Sequence, residues 1–259
     1  MTSAPLFSWL DMLQSDCTHT PGLRLNFIVD QCGSGLQLLP GIVSVFSPEV
    51  VHSLFTDLPE AHLIDLAPLL IQVDFNEPLQ RQWFAHLLKV INPSVHVLAL
   101  HSLWPFADLA DYLGRCLNAS NGGVSHLFRF YDPRLFPLLV GHVLDAAQRQ
   151  QLLRPVLSWN WLDRDGVSQR LTGHAESPEL AQSVSPFELT DAQMETLGCV
   201  CDATAAVRNL YAALPAGWGA ERRFQECYTA MRKATEAGLL VPDQREQFVF
   251  DSLCSVNQP

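Results

Sequence analysis

Four apolar runs of strand length punctuate the first part of this chain: 25-LNFIVD-30, 68-PLLIQV-73, 95-VHVLALHS-102 and 156-VLSWNWL-162. Each is too short for a self-sufficient helix and carries β-branched or aromatic residues, so each reads as a buried strand. A further apolar run, 51-VHSLF-55, has the same character. Helical spacing appears between them. In 78-PLQRQWFAHLLKVI-91, Leu79, Trp83, Leu87 and Val90 recur on one helical face, and 105-PFADLADYLGRCL-117 opens with Pro105, a favourable first-turn residue. Residues 5–14 fit one short amphipathic helix. Strands alternating with helices argue for an α/β lobe with a mixed sheet.

The pattern changes in the second half. The runs 156-VLSWNWL-162 and 167-VSQRL-171 are joined by 163-DRDG-166, where Asp165-Gly166 is a good hairpin-turn pair. Residues 172–189 are rich in Ser, Pro and Ala and read as a linker. Thr190 and Gln193 then form a capping box, and Met194, Leu197, Cys201, Thr204, Val207, Tyr211 and Leu214 follow at helical spacing. Pro215 and Gly217 end that helix. Phe224, Tyr228 and Met231 mark a second, stopped at Gly238, and Pro242 starts a third. The expected organisation is an α/β lobe over residues 1–171, a linker over 172–189 and a three-helix lobe over 190–259.

Composition narrows the partners. The chain has 259 residues, 48% of them hydrophobic, which is ample for a large core. Its formal net charge of −11 repels phosphate, which disfavours nucleic acid and anionic membrane. No stretch is long and apolar enough to span a bilayer. The start, MTSAPLFSWLDML, lacks the basic opening of a signal peptide, and Asp11 interrupts its apolar run, so a cytoplasmic location is expected. The odd count of seven cysteines and the lack of any CxxC pair agree with a reducing compartment.

One stretch stands out, 127-LFRFYDPR-134, preceded by the turn signal Asn121-Gly122-Gly123. As a strand it would send Phe128 and Phe130 to one side and Arg129 and Tyr131 to the other. Asp132 fits a helix N-cap and Pro133 the first helical position, so the Asp-Pro step reads as a strand-to-helix switch. Pro137 should keep that helix short or kinked. Arg129 and Arg134 either cover local structure or form a recognition surface with Tyr131, since Arg and Tyr are enriched at interface hot spots. Trp159 and Trp161 share one face of their strand, as core residues or as an aromatic patch for a partner.

Recognised chemistry is sparse. The sequence has no GxSxG, P-loop, GxGxxG or HExxH. No two of its nine histidines stand four residues apart. Asp163 and Asp165 resemble the start of a calcium loop without its later ligands. Ser34, between two glycines, is a conceivable nucleophile with no evident base.

The signature 128-FRFYDPR-134, followed by 148-QRQQLL-153 and 155-PVLSWNWLDRDG-166, resembles the centre of the type VI secretion effector adaptors, the Tap or TEC chaperones, long known only as a domain of unknown function. Upstream, Leu25–Asp30, 67-APLLI-71, 98-LALHS-102 and 107-ADLADYL-113 fit the same pattern, with Leu69 where an aromatic is usual. The likeness covers about residues 25–166. It implies a cytoplasmic, non-enzymatic adaptor without catalytic residues or cofactor. Such an adaptor holds a toxic effector, often by its N-terminal region, and helps load it onto a VgrG or PAAR spike protein. The residues expected to carry partner binding or the family signature are Phe128, Arg129, Phe130, Tyr131, Asp132, Pro133, Arg134, Trp159 and Trp161. The competing expectations are an immunity protein that blocks a toxin and a hydrolase using Ser34 or a histidine.

Overall fold

The computed structural model describes residues 3–33, 38–178 and 184–254. The chain divides into two compact units, Met1–Glu188 and Leu189–Pro259. In the first, helices α1 (Ser3–His19), α2 (Leu39–Ile42), α3 (Pro78–Val90), α4 (Pro93–His96), α5 (Phe106–Arg115), α6 (Phe136–Leu138) and α7 (Ala146–Leu153) are interspersed with nine strands among the described residues. These are β1 (Arg24–Val29), β2 (Val51–Ser53), β3 (Leu69–Val73), β4 (Val97–Ser102), β5 (Asn118–Asn121), β6 (Val124–Leu127), β7 (Ser158–Leu162), β8 (Ser168–Thr172) and β9 (Phe187–Glu188). The second unit contains α8 (Asp191–Asn209), α9 (Ala220–Glu236) and α10 (Pro242–Cys254). The architecture is thus an N-terminal α/β region followed by C-terminal helices.

The larger sheet has the order β2-β3-β1-β4-β7-β8 and is antiparallel throughout, while the smaller, β6-β5-β9, contains the parallel pair β5–β9. The period of two assigns the side chains of the larger sheet to its faces. Leu25, Phe27 and Val29 of β1 and Val97 and Ala99 of β4 join one core cluster with Trp9, Leu10 and Leu13 of α1 and Phe84, Leu87 and Leu88 of α3. On the other face, Trp159 packs against Phe130 and Phe136, and Trp161 against Phe136. Both faces of the central strands are covered, which is why β4 and β7 are buried at every position.

Helix α3 exists as its spacing foretells, but its buried face is rotated. Leu79 and Val90 are exposed, and the inward line runs through Phe84, Leu87 and Leu88. The Phe84 ring sits 4.0 Å, centroid to centroid, from that of Phe27 and takes the sheet-facing position, while the half-buried Trp83 packs against Phe46. The hairpin at 163–166 forms as expected. Asp163 Oδ1 accepts the backbone N–H of Asp165 and Val167, each at 2.9 Å, and Gly166 adopts φ 78°. The Asp163 carboxylate therefore serves the turn.

The Ser/Pro-rich segment is more ordered at its ends than a linker. Gly173, His174, Ala175 and Glu176 donate backbone hydrogen bonds to Leu157, Leu153, Val156 and Arg154. A Cβ on Gly173 would stand 2.1 Å from the Val156 carbonyl oxygen, so only glycine permits this approach. Phe187 and Glu188 form β9, and the Phe187 ring lies 4.8 Å from that of Phe128.

The capping box at Thr190 and Gln193 is present. The side of α8 that is buried differs from the expected stripe: Cys199, Ala203 and Ala206 are buried, while Cys201 and Thr204 are exposed and Tyr211, beyond the helix, is 61% exposed. Small side chains let a neighbouring backbone come close, so the larger residues fall to the flanks. Arg245 of α10 ties this unit together, donating to the Asp202 carboxylate at 3.0 Å, to Thr235 Oγ1 at 2.9 Å and to the Leu239 carbonyl at 2.9 Å.

Candidate functional site

The 128–134 signature does not continue β6, which ends at Leu127. The backbone folds into successive tight turns. Phe130 N–H bonds to the Phe128 carbonyl at 2.8 Å and Asp132 N–H to the Arg129 carbonyl at 3.3 Å. The alternation expected of a strand is therefore lost, and Tyr131 goes inward with the two phenylalanines. Phe128, Phe130 and Tyr131 are 4%, 0% and 2% exposed. Two aromatic rings on one side of a strand and these turns with three buried rings share one sequence pattern, because both bury Phe128 and Phe130.

The Asp132-Pro133 step opens a turn and does not cap a helix: α6 starts at Phe136 with Leu135 at its N-cap position, so Asp132 and Pro133 do not take the cap and first helical positions expected of them. The Asp132 carbonyl accepts Phe136 N–H at 2.8 Å, and Oδ1 accepts Arg134 N–H at 2.9 Å. The Arg134 guanidinium also grips the same carboxylate at both oxygens, Nε to Oδ1 at 3.0 Å and Nη2 to Oδ2 at 2.7 Å. α6 is a single short turn that passes through Pro137 into one π turn over Leu139–Val143, closed by Leu144 N–H to the Leu139 carbonyl at 2.9 Å.

Arg129 reaches across to the end of β1. Its Nη2 lies 2.6 Å from Asp30 Oδ2, and its guanidinium carbon is 5.7 Å from the centre of the Tyr131 ring. Asp30 is held from the other side by Cys32 N–H, which donates to Oδ1 at 3.0 Å. Burial pushes the Asp30 carboxyl above the ordinary carboxylate range, against the downward pull of the Cys32 N–H and the Arg129 charge. Burial, with Asp30 adding to it, likewise raises the Tyr131 phenol, which stays neutral. The two carboxylates Asp30 and Asp132 and the two guanidiniums Arg129 and Arg134 make a charge-balanced cluster. Its acids face inward and its guanidiniums are partly open to solvent.

Of the sequence-derived site residues, Phe128, Phe130, Tyr131, Asp132, Pro133, Trp159 and Trp161 are buried, and Arg129 and Arg134 reach the surface. Trp159 and Trp161 do share a strand face, and that face is covered, so neither ring offers an open aromatic patch. Asp30 is the member that the sequence pattern left unpaired. The one cue is an acid closing an apolar strand run.

A second constellation has no sequence cue at all. On the α1 side of the larger sheet, His101 Nε2 is 3.0 Å from the Leu13 carbonyl and its Nδ1 is 3.1 Å from Ser158 Oγ and 4.0 Å from Asp16 Oδ2. Asn160 Nδ2 donates to Ser158 Oγ at 3.1 Å. The Nε2 proton satisfies the carbonyl, leaving Nδ1 to accept from Ser158. Burial lowers the His101 pKa. Serine, histidine and aspartate together suggest a nucleophile, yet His101 and Ser158 are both 0% exposed, and the histidine is held by main chain rather than aimed at a substrate. Ser34 lies outside the described residues. Among the described residues no group of His, Cys, Asp and Glu could hold a metal ion, and no helix is long and apolar enough to cross a membrane.

Residues 28–151 match the family model described as a domain of unknown function, DUF4123. The match runs from β1 to α7 and contains Asp30 and the whole signature; Trp159, Trp161 and the helical unit lie beyond it. No curated protein and no solved structure matches the chain.

Proposed function

We propose that this chain is a cytoplasmic, non-enzymatic adaptor that binds a type VI secretion effector, through the effector's N-terminal region, and helps load it onto a VgrG or PAAR spike protein. The observation that carries the reading is the FRFYDPR stretch at residues 128–134, the resemblance from which the role is taken, lying within the 28–151 match. Its geometry is compatible with a binding role. The aromatic residues build a rigid platform, and two guanidiniums, each anchored by a carboxylate, are presented at its surface.

The test is co-expression of the tagged chain with the products of its neighbouring genes. The expected result is a stable complex with a large toxin or a spike protein, with a gain in that partner's solubility. If neither co-purifies nor gains solubility, the proposal fails. An immunity protein would instead protect cells from the toxin's catalytic domain alone, without needing the delivery region.

A further inference from the structure

Strand β8 ends the larger sheet, with one side open among the described residues. The backbone bonds that flank it set the register: Gly173 N–H meets the Leu157 carbonyl at 2.9 Å, and Asp163 N–H meets the Val167 carbonyl at 2.9 Å. Antiparallel pairs alternate between bonded and non-bonded. Trp159–Leu171 and Trp161–Gln169 therefore exchange bonds within the ladder, while Ser168, Arg170 and Thr172 turn their N–H and C=O groups away from β7. Among the described residues no strand pairs with that outer side, and all three residues are exposed.

Beside this edge runs a groove of about 810 Å³ within the first unit, walled by Pro137, Val140, Leu153, Trp161 and Leu171. Arg149 also lines it. The Arg149 guanidinium makes one long contact, Nη1 to the Val140 carbonyl at 3.5 Å, and no carboxylate pairs with it among the described residues. The neighbouring acid, Glu176, is already matched by Arg154 Nε at 2.9 Å.

These features define an occupant. Outward N–H and C=O groups on alternate residues are met by an extended backbone, since a helix keeps its own groups bonded. The period of two then delivers every second side chain of that backbone to the face where Trp161 and Leu171 lie. The unpaired guanidinium asks for a carboxylate. We propose that the open edge of β8 and the adjoining groove capture an extended segment of a partner polypeptide as an added strand, with an apolar side chain in the groove and an Asp or Glu against Arg149. The chemistry of the segment follows from the edge and groove alone; that the partner is a secreted effector rests on the adaptor reading above.

The test uses the full chain. Amide hydrogen exchange in the free protein should be fast at Ser168, Arg170 and Thr172 and slow at Gln169 and Leu171. Slow exchange at the outer three that persists on dilution means the chain's own residues cover the edge; slow exchange lost on dilution means a second copy does. Either overturns the proposal. Random short peptides displayed against the chain should yield sequences with alternating apolar residues and an acid. Binding of a selected synthetic peptide should slow the outer three amides and weaken about tenfold or more in Arg149→Glu. Failure to select such peptides, or selected peptides that leave those amides unchanged, also overturns it. Ser168→Pro removes an outward N–H at a strand's first residue, where proline is tolerated, and should weaken the same peptide without unfolding the chain. An effector that still co-purifies with the Arg149→Glu, Ser168→Pro double variant refutes this site and spares the adaptor reading. Peptide capture at β8 with no effector or spike partner does the reverse.

Discussion

Arg129 closes onto Asp30 across 99 residues of chain, its Nη2 2.6 Å from the carboxylate Oδ2. The Asp30 side chain is 2% exposed and the Arg129 side chain 39%, so the pair fastens a buried strand end to the solvent-facing edge of the signature. Removing the guanidinium leaves a buried carboxylate whose remaining hydrogen-bond partner among the described residues is the Cys32 N–H. Loss of one partner from a fully buried pair costs about 3–5 kcal/mol. With Arg129 part exposed and screened, Arg129→Leu should cost about 1–3 kcal/mol at neutral pH. The Asp30 pKa is already raised by burial, and Arg129 is one of the groups holding it down. A raised carboxyl binds its proton more tightly folded than unfolded, so its penalty is present above the folded pKa and fades as pH falls through it. Without Arg129 that pKa rises further. Chemical denaturation should therefore show a smaller Arg129→Leu deficit under mildly acidic conditions than at neutral pH; a pH-independent deficit would argue against the pair.

Phe130 and Arg134 lie four residues apart and should respond oppositely. Phe130 has no exposed surface and packs on Trp159, so Phe130→Ala should cost about 3–5 kcal/mol. Arg134 is 43% exposed at its side chain, and Arg134→Ala should cost at most about 1 kcal/mol. In a binding assay the order reverses if the guanidiniums form the recognition surface. A Phe130→Ala protein of full stability would refute the platform described above.

His101 should make the fold acid-sensitive. Burial lowers its pKa below the usual 6.5, while the facing Asp16 raises it and Arg170 lowers it. A base whose folded pKa is depressed contributes stability above the unfolded value, and that stability is lost as pH falls below about 6.5 toward the folded pKa. His101→Gln should be less stable at neutral pH, since it disturbs the bonds to Leu13 and Ser158. Its stability should nevertheless decline less between neutral and mildly acidic pH than the parent's. Parallel slopes would mean that His101 does not titrate on unfolding.

A chain ending after Glu188 should fold on its own with a single cooperative transition, because both sheets and the platform lie within Met1–Glu188. Ending before Phe187 should destabilise it, since β9 and the Phe187 ring against Phe128 are lost. Denaturation of the two truncations separates these outcomes; equal midpoints would show that β9 contributes nothing.

The central strands β1, β3, β4 and β7 are legible because each is a short apolar run ended by polar or turn residues, and the polar edge strand β8 because Asp165-Gly166 supplies the backbone of its hairpin. Rotational detail is not. In α3 and α8 several apolar or small residues compete for the inward arc, and the winner depends on the neighbour: Phe27 draws in Phe84, and close packing favours Cys199, Ala203 and Ala206 over larger residues. The signature does not form the strand its alternating phenylalanines suggest, because that alternation suits either backbone; the local bonds from Phe130 N–H to the Phe128 carbonyl and from Asp132 N–H to the Arg129 carbonyl make it a pair of turns. Strand order, the Arg129–Asp30 pair and the His101–Ser158 network depend on residues far apart in the chain, for which no local pattern exists.

The most direct test of the adaptor role is secretion from cells in which this gene alone is deleted. The expected result is that one toxic effector stays inside the cell while release of the spike protein continues, and that the intact gene restores export. An effector still exported at the parental level without this chain would contradict the role.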